Sequence, residues 1–148
     1  MRESSRFEHG SSMAWTAVFL VTVLMPLMLL IVDGSRLLYI RGRLQTASDA
    51  ACEAAAWFAG DRSYYQDTGR TRIENEGKAI AIAQNTFTST LLERNRMSFS
   101  AQLSVDIDHS GNNIQCRAVA LVPVLFSTGG AAPQVDIPAE SLSTIRFR

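Results

Sequence analysis

Charge of one sign is the first thing this chain lacks: 14 Lys and Arg side chains stand against 14 Asp and Glu. Without a basic field there is nothing to draw in a phosphate backbone, so nucleic acid is excluded as a partner, and no block of like charge forms a tail. Cysteine is also scarce. Cys52 and Cys116 are too few for a disulfide-dense scaffold and have no second pair to complete a tetrahedral zinc site. The two histidines, His9 and His109, fall in the N-terminal tail and in a predicted turn, with no ligand cluster at metal spacing. No HExxH, GxSxG, GxxxxGK or dinucleotide-binding glycine run occurs. Asp106 and Asp108 share the polar side of one predicted strand, where solvated carboxylates are the ordinary case rather than an acid/base pair. These absences argue against an enzyme and call for no cofactor and no metal.

What the chain has instead is a long oily run. Residues 13–32 carry no charge, and twenty helical residues span about 30 Å, the thickness of a bilayer's hydrocarbon core. The run is too long for the apolar part of a cleaved secretory signal, and Asp33-Gly34-Ser35-Arg36 follows it with no small-x-small cleavage site. A retained, single-pass transmembrane helix is therefore expected over 13–33, after an N-terminal cytoplasmic tail over 1–12. Pro26 frees a backbone carbonyl, so a bend is expected near the preceding turn. Arg2 and Arg6 precede the run while Arg36, Arg41 and Arg43 follow it, so counting positive charges hardly orients it.

Beyond the run, Leu37, Ile40, Leu44, Ala47, Ala51, Ala54 and Phe58 step by three and four residues in turn, a heptad-like seam that extends the helix over 34–60. Asp33 and Arg36 are spaced to pair at the membrane exit, and Gly34 and Gly42 are the flexible points. The alanines permit close approach of another backbone, which is either a neighbouring helix or the chain's own sheet. Run and seam together make a rod of roughly 70 Å.

Residues 61–148 read as an α+β domain. The polar stretch 61–72 reads as a loop. Thr71 and Glu74 have the spacing of a capping box ahead of a helix whose stripe is Ile73, Ile80, Phe87 and Leu91. From Met97 to Asp108 apolar and polar residues alternate, and a turn at 109–112 leads into a second alternating run through Ile114, Cys116, Ala118 and Ala120. Pro123 belongs at an edge or a strand end. A Gly/Ala loop covers 127–133, and a short last strand over 142–148 places Ile145 and Phe147 on one face. The expected whole is a long N-terminal transmembrane helix continuing into a small domain with a second helix and a short antiparallel sheet. Cys116 lies on the apolar face of its strand and Cys52 on the helix that this face should meet. They form either one disulfide, which would persist outside the cytoplasm, or two buried inert thiols.

The stretch from Gly10 to Ala56 resembles the N-terminal region of TadE- and TadG-like proteins, the minor pilins or pseudopilins of tight-adherence (Flp) pilus systems. The resemblance is carried by Gly10, Pro26, Asp33, Arg36, Leu37, Tyr39, Leu44, Gln45, Ala47, Asp49, Ala50 and Ala51, in that order. It implies a pilin-like fold and assembly with other pilin-like subunits and the pilus machinery as a hetero-oligomer. It also implies residence in the inner membrane with the C-terminal domain outside the cytoplasm, or incorporation in the pilus. In processed members, cleavage falls after the glycine corresponding to Gly10, leaving Ser11 first, and a Glu stands five residues on; here that position is Trp15. The alternative reading is a single-pass anchored periplasmic binding module unrelated to pili, which a convergent polar pocket would favour.

Overall fold

One helix governs the architecture. The computed structural model describes residues 5–70, 72–73, 75–92, 99–124 and 133–145, with side chains from Ser12 onward. It opens with α1 (Ser5–Phe19), passes through a five-residue π segment (Leu20–Leu24) and continues as α2 (Met25–Ala59). The stretch Ser12–Ala59 is 48 residues of unbroken helix, about 72 Å at the usual rise. The wide turn has a local cause. Pro26 has no amide hydrogen and its ring crowds the carbonyl of Thr22, so the ordinary ladder fails there. The amide of Met25 reaches back five residues to the carbonyl of Leu20, and the Thr22 hydroxyl donates to Val18 O at 2.7 Å. The irregularity therefore falls in the turn where the sequence predicts a bend.

The helix stops at Gly60, whose backbone turns extended (φ −79°, ψ 135°) and bridges Ile73 in antiparallel fashion. The next stretch departs from expectation. Instead of a loop over 61–72, a short helix α3 (Arg62–Thr68) forms. Asp61 starts it: the carboxylate accepts from the Tyr64 amide at 3.0 Å and the Ser63 hydroxyl at 2.7 Å. Gly69, at φ 68°, ends it in the left-handed conformation that glycine adopts without cost. Thr71 and Glu74 lie outside the described residues. The described cap of α4 (Glu76–Leu92) is Asn75, whose Oδ1 accepts from the Lys78 amide at 3.2 Å. Ile73 consequently belongs to the bridge and not to the helical stripe. Ala79, Ala83, Phe87 and Leu91 are the buried face of α4.

Three strands form one antiparallel sheet in the order β1-β2-β3: β1 (Ser100–Asp108), β2 (Asn113–Pro123) and β3 (Gln134–Thr144). The alternation in β2 translates directly into faces, with Ile114, Cys116, Ala118, Ala120 and Val122 buried. Pro123 is the last residue of this central strand, where its missing donor breaks no ladder. The last strand begins eight residues earlier than the sequence suggests and ends at Thr144, with buried Ile145 just beyond and Phe147 outside the described residues. Pro138 falls in its interior, a position where a central strand would not accept proline. On the edge strand β3, opposite Val119, it is tolerated.

The core lies between the sheet and α2. Fully buried Ala47, Ala51 and Ala55 on the helix, with Cys116, Ala118 and Ala120 on the sheet, leave little side chain between the two backbones. α2 packs on β2 and β3, while α4 packs on α2 and touches β1. The inner residues of β1, Ala101, Leu103, Val105 and Ile107, are accordingly only half-buried. The result is an α+β fold of pilin-like form: one long apolar helix, a small antiparallel sheet and accessory helices.

Candidate functional site

The surface most distinctive of this molecule is the long helix itself, and its two halves meet different surroundings. From Met13 to Val32 every described side chain is exposed apart from half-buried Pro26. Val18, Leu24, Leu27 and Leu30 are all exposed. This is the one described helix long and apolar enough to cross a membrane. Trp15 stands on it, 74% exposed. Gly10 and Ser11 sit within α1.

After Val32 one side of the helix becomes covered. Ile40, Leu44, Ala47 and Ala51 of the expected seam are buried, and Leu37 packs at the rim of the core. Further on, the buried stripe leaves the seam. Ala55, Ala56 and Ala59 are buried, whereas Ala54 is half-buried and Phe58 is 55% exposed. A straight α-helix drifts by roughly 20° per heptad against a strict 3.5-residue repeat, so a seam read in sevens ends up rotated off the contact. Phe58 instead lies under the Lys78 ammonium, 6.0 Å from the ring centre.

Asp33 and Arg36 mark the joint between the halves. Arg36 donates to the carbonyl of Pro123 at 3.3 Å, tying the first turns beyond the apolar run to the end of β2. Asp33 is only 8% exposed, although Val32 before it is open. Higher up, Gln45 donates to Glu140 O (2.8 Å) and Ser48 to Cys116 O (3.4 Å), so helix polar groups are satisfied by sheet carbonyls. On the opposite side, Tyr39, Gly42, Thr46, Asp49, Glu53 and Trp57 form an open stripe continuous with the apolar half. Sequence reasoning missed it, because the eye follows apolar periodicity; the signal was the complementary set of small and polar residues at the same spacing.

Cys52 and Cys116 are brought together by the packing of α2 on β2. Both are fully buried free thiols, and Cys52 Sγ donates to Ile114 O at 3.1 Å. A hydrogen bond between the two thiols lowers the pKa of Cys52 and raises that of Cys116, which burial raises further.

Two further polar features lie at the β1–β2 turn. Asp108 closes the β1–β2 turn, its carboxylate held below the usual range by the Ser110 hydroxyl and the amides of Ser110 and Gly111. Beside that turn a hollow of about 450 Å³ is lined by Tyr64, Arg70, Arg72, Ile73, His109 and Asn112. Arg72 stacks over the Tyr64 ring at 5.7 Å, and His109 Nε2 lies 3.6 Å from Glu76. Among the described residues no cluster of three His, Cys, Asp or Glu could hold a metal ion.

No curated protein and no solved structure matches the chain. Over residues 10–57, the long helix from its N-terminal part through Trp57, the chain matches the Tad family model, described as Flp pilus-assembly TadE/G-like.

Proposed function

We propose that this protein is a membrane-anchored minor pilin-like subunit of tight-adherence pilus assembly, and that it works by packing its long helix among those of other subunits. One observation carries the reading: among the described residues a single unbroken helix is uncovered all round in its first half, and in its second half it is covered by the sheet and α4 but keeps an open stripe from Tyr39 to Trp57. A helix of that kind suits lipid while stored and neighbouring helices once assembled. The inner membrane is the storage site, the C-terminal domain lies outside the cytoplasm, and the assembly is hetero-oligomeric. The Tad match over residues 10–57 supports the choice of system. Trp15 argues against cleavage after Gly10, and an N-terminus found at Ser11 in the mature protein would reverse that point.

Photo-crosslinkable residues placed at Tyr39, Thr46 and Trp57 on the open stripe test the reading in cells. Adducts with other long-helix subunits are the expected result. Adducts confined to this chain would sink it.

The hollow beside His109 favours a second reading, an anchored binding module, because two arginines and a tyrosine converge there. Arg70→Ala combined with Arg72→Ala separates the two. Pilus formation is unchanged if helix packing is the function, whereas a loss of function with crosslinks intact would favour the module.

A further inference from the structure

The sheet reaches back to the membrane end of the long helix, and two independent rulers place it there. Arg36 is four residues beyond Val32, about 6 Å past the apolar run, and bonds the carbonyl of Pro123. Helical side chains tilt toward the helix N-terminus, so this bond points toward the membrane rather than away from it. The second ruler starts at Ser48, which bonds Cys116 O. Seven residues along β2 from Cys116 to Pro123 cover about 23 Å, and fifteen helical residues from Ser48 back to Asp33 cover about 22 Å. The order of contacts, Pro123 with Arg36, Cys116 with Ser48 and Ile114 with Cys52, shows that β2 runs antiparallel to α2. Pro123 therefore stands level with Asp33 and Arg36. The Val124 amide bonds Pro133 O at 3.1 Å, carrying the β2–β3 ladder one residue further.

A bilayer's headgroup layer is roughly 5 to 8 Å deep on each side of the hydrocarbon. Within or just above that depth the paired ends of β2 and β3 present Leu121 on the outer face of the sheet and Val135, paired with buried Val122, on the helix-side face, 41% and 40% exposed, together with half-buried Pro123 and Val124 and exposed Pro133. Gln134 and Asp136 stand exposed among them. Apolar side chains interleaved with polar ones suit the boundary between acyl chain and headgroup better than open water.

We infer that the membrane-side ends of β2 and β3, at Leu121, Val124 and Val135, are seated in the phospholipid headgroup layer. The partner of this patch is the lipid surface, and the contact fixes the domain against the bilayer so that α2 leaves the membrane at a set tilt. The inference rests on the reading of residues 13–32 as a membrane span, and its test reads that separately.

The test uses the full chain in vesicles of phosphatidylcholine and phosphatidylglycerol whose acyl chains carry bromine close to the headgroups. Single-tryptophan proteins report position: native Trp15 with Trp57→Phe, native Trp57 with Trp15→Phe, and Val135→Trp or Leu121→Trp with both native tryptophans replaced by Phe. The expected result is loss of emission at Trp15 and at both introduced reporters, with Trp57, about 37 Å beyond Val32 along the helix, unaffected. Two reporters keep the result readable where one substitution disturbs the strand. Introduced reporters that keep their emission as Trp57 does, while Trp15 is quenched, overturn the seated domain. The same result with blue-shifted emission shows the patch covered by protein instead. An unquenched Trp15 overturns the span and the inference with it.

Discussion

Leu30 and Leu44 are the same side chain on the same helix, fourteen residues apart, yet Leu30 is 69% exposed and Leu44 is fully buried. The difference lies in what each half of the helix meets. Up to Val32 the helix carries apolar residues on every side, and among the described residues they stand exposed. From Ile40 onward most of them, Trp57 and Phe58 apart, lie against β2, β3 and α4. Apolar surface is thus used twice for different ends: the first half leaves it open for a solvent or partner outside the chain, and the second half uses it to hold the chain's own domain.

The largest expected effect concerns a feature only the second half has. In protein from an oxidising envelope Cys52 and Cys116 are expected as a disulfide, closing a loop of about 65 residues and stabilising the outer domain by about 4 kcal/mol on the chain-entropy account. Mass measurement with and without reductant checks it; two alkylatable thiols without reduction count against the bridge. Next, Leu44→Ala is expected to cost the outer domain about 3 kcal/mol through lost burial and a cavity. Leu30→Ala should leave the domain's unfolding transition where it was. Equal losses from the two changes would erase the contrast between the halves. A smaller effect is expected at Gly42, on the open stripe, where an added Cβ meets nothing within 4 Å. Gly42→Ala should stabilise the helix by about 1 kcal/mol. A drop in assembly despite that gain would show that a neighbouring backbone comes close at this point. The smallest effect is at the helix boundary. Hydrogen bonds from Ser63 and Tyr64 hold the Asp61 carboxyl below its ordinary value. Its contribution to stability is therefore present above the ordinary aspartate pKa and is lost as pH falls through the depressed one. Thermal melts of the wild type and Asp61→Ala should differ at neutral pH and converge in acid.

Much of this was legible before any coordinates. A charge-free run of bilayer length, the helix continuing past it and the alternating strands are local periodicities, which depend on neighbours in sequence. The features that escaped depend on neighbours in space. The extent of β3 is one: its interior Pro138 is tolerated because the strand lies at the sheet's edge, which no local pattern states. Asp61 and Gly69 did carry cap signals, but between them stood only seven residues, too few for periodicity to be read. Phe58 continued the seam on paper and left it in three dimensions, since helical drift accumulates with length.

The sequence by itself determined that an apolar rod leads into an α+β domain, because hydrophobic length and spacing are properties of the chain alone. Only the tertiary structure decided which side of that rod the sheet takes, that Cys52 meets Cys116, that Tyr39, Gly42 and Trp57 stay open, and that the β2–β3 end returns to Arg36. Each of these follows from residues dozens of positions apart being brought into contact. That is set by how α2 and the sheet pack small side chain against small side chain, not by any local pattern.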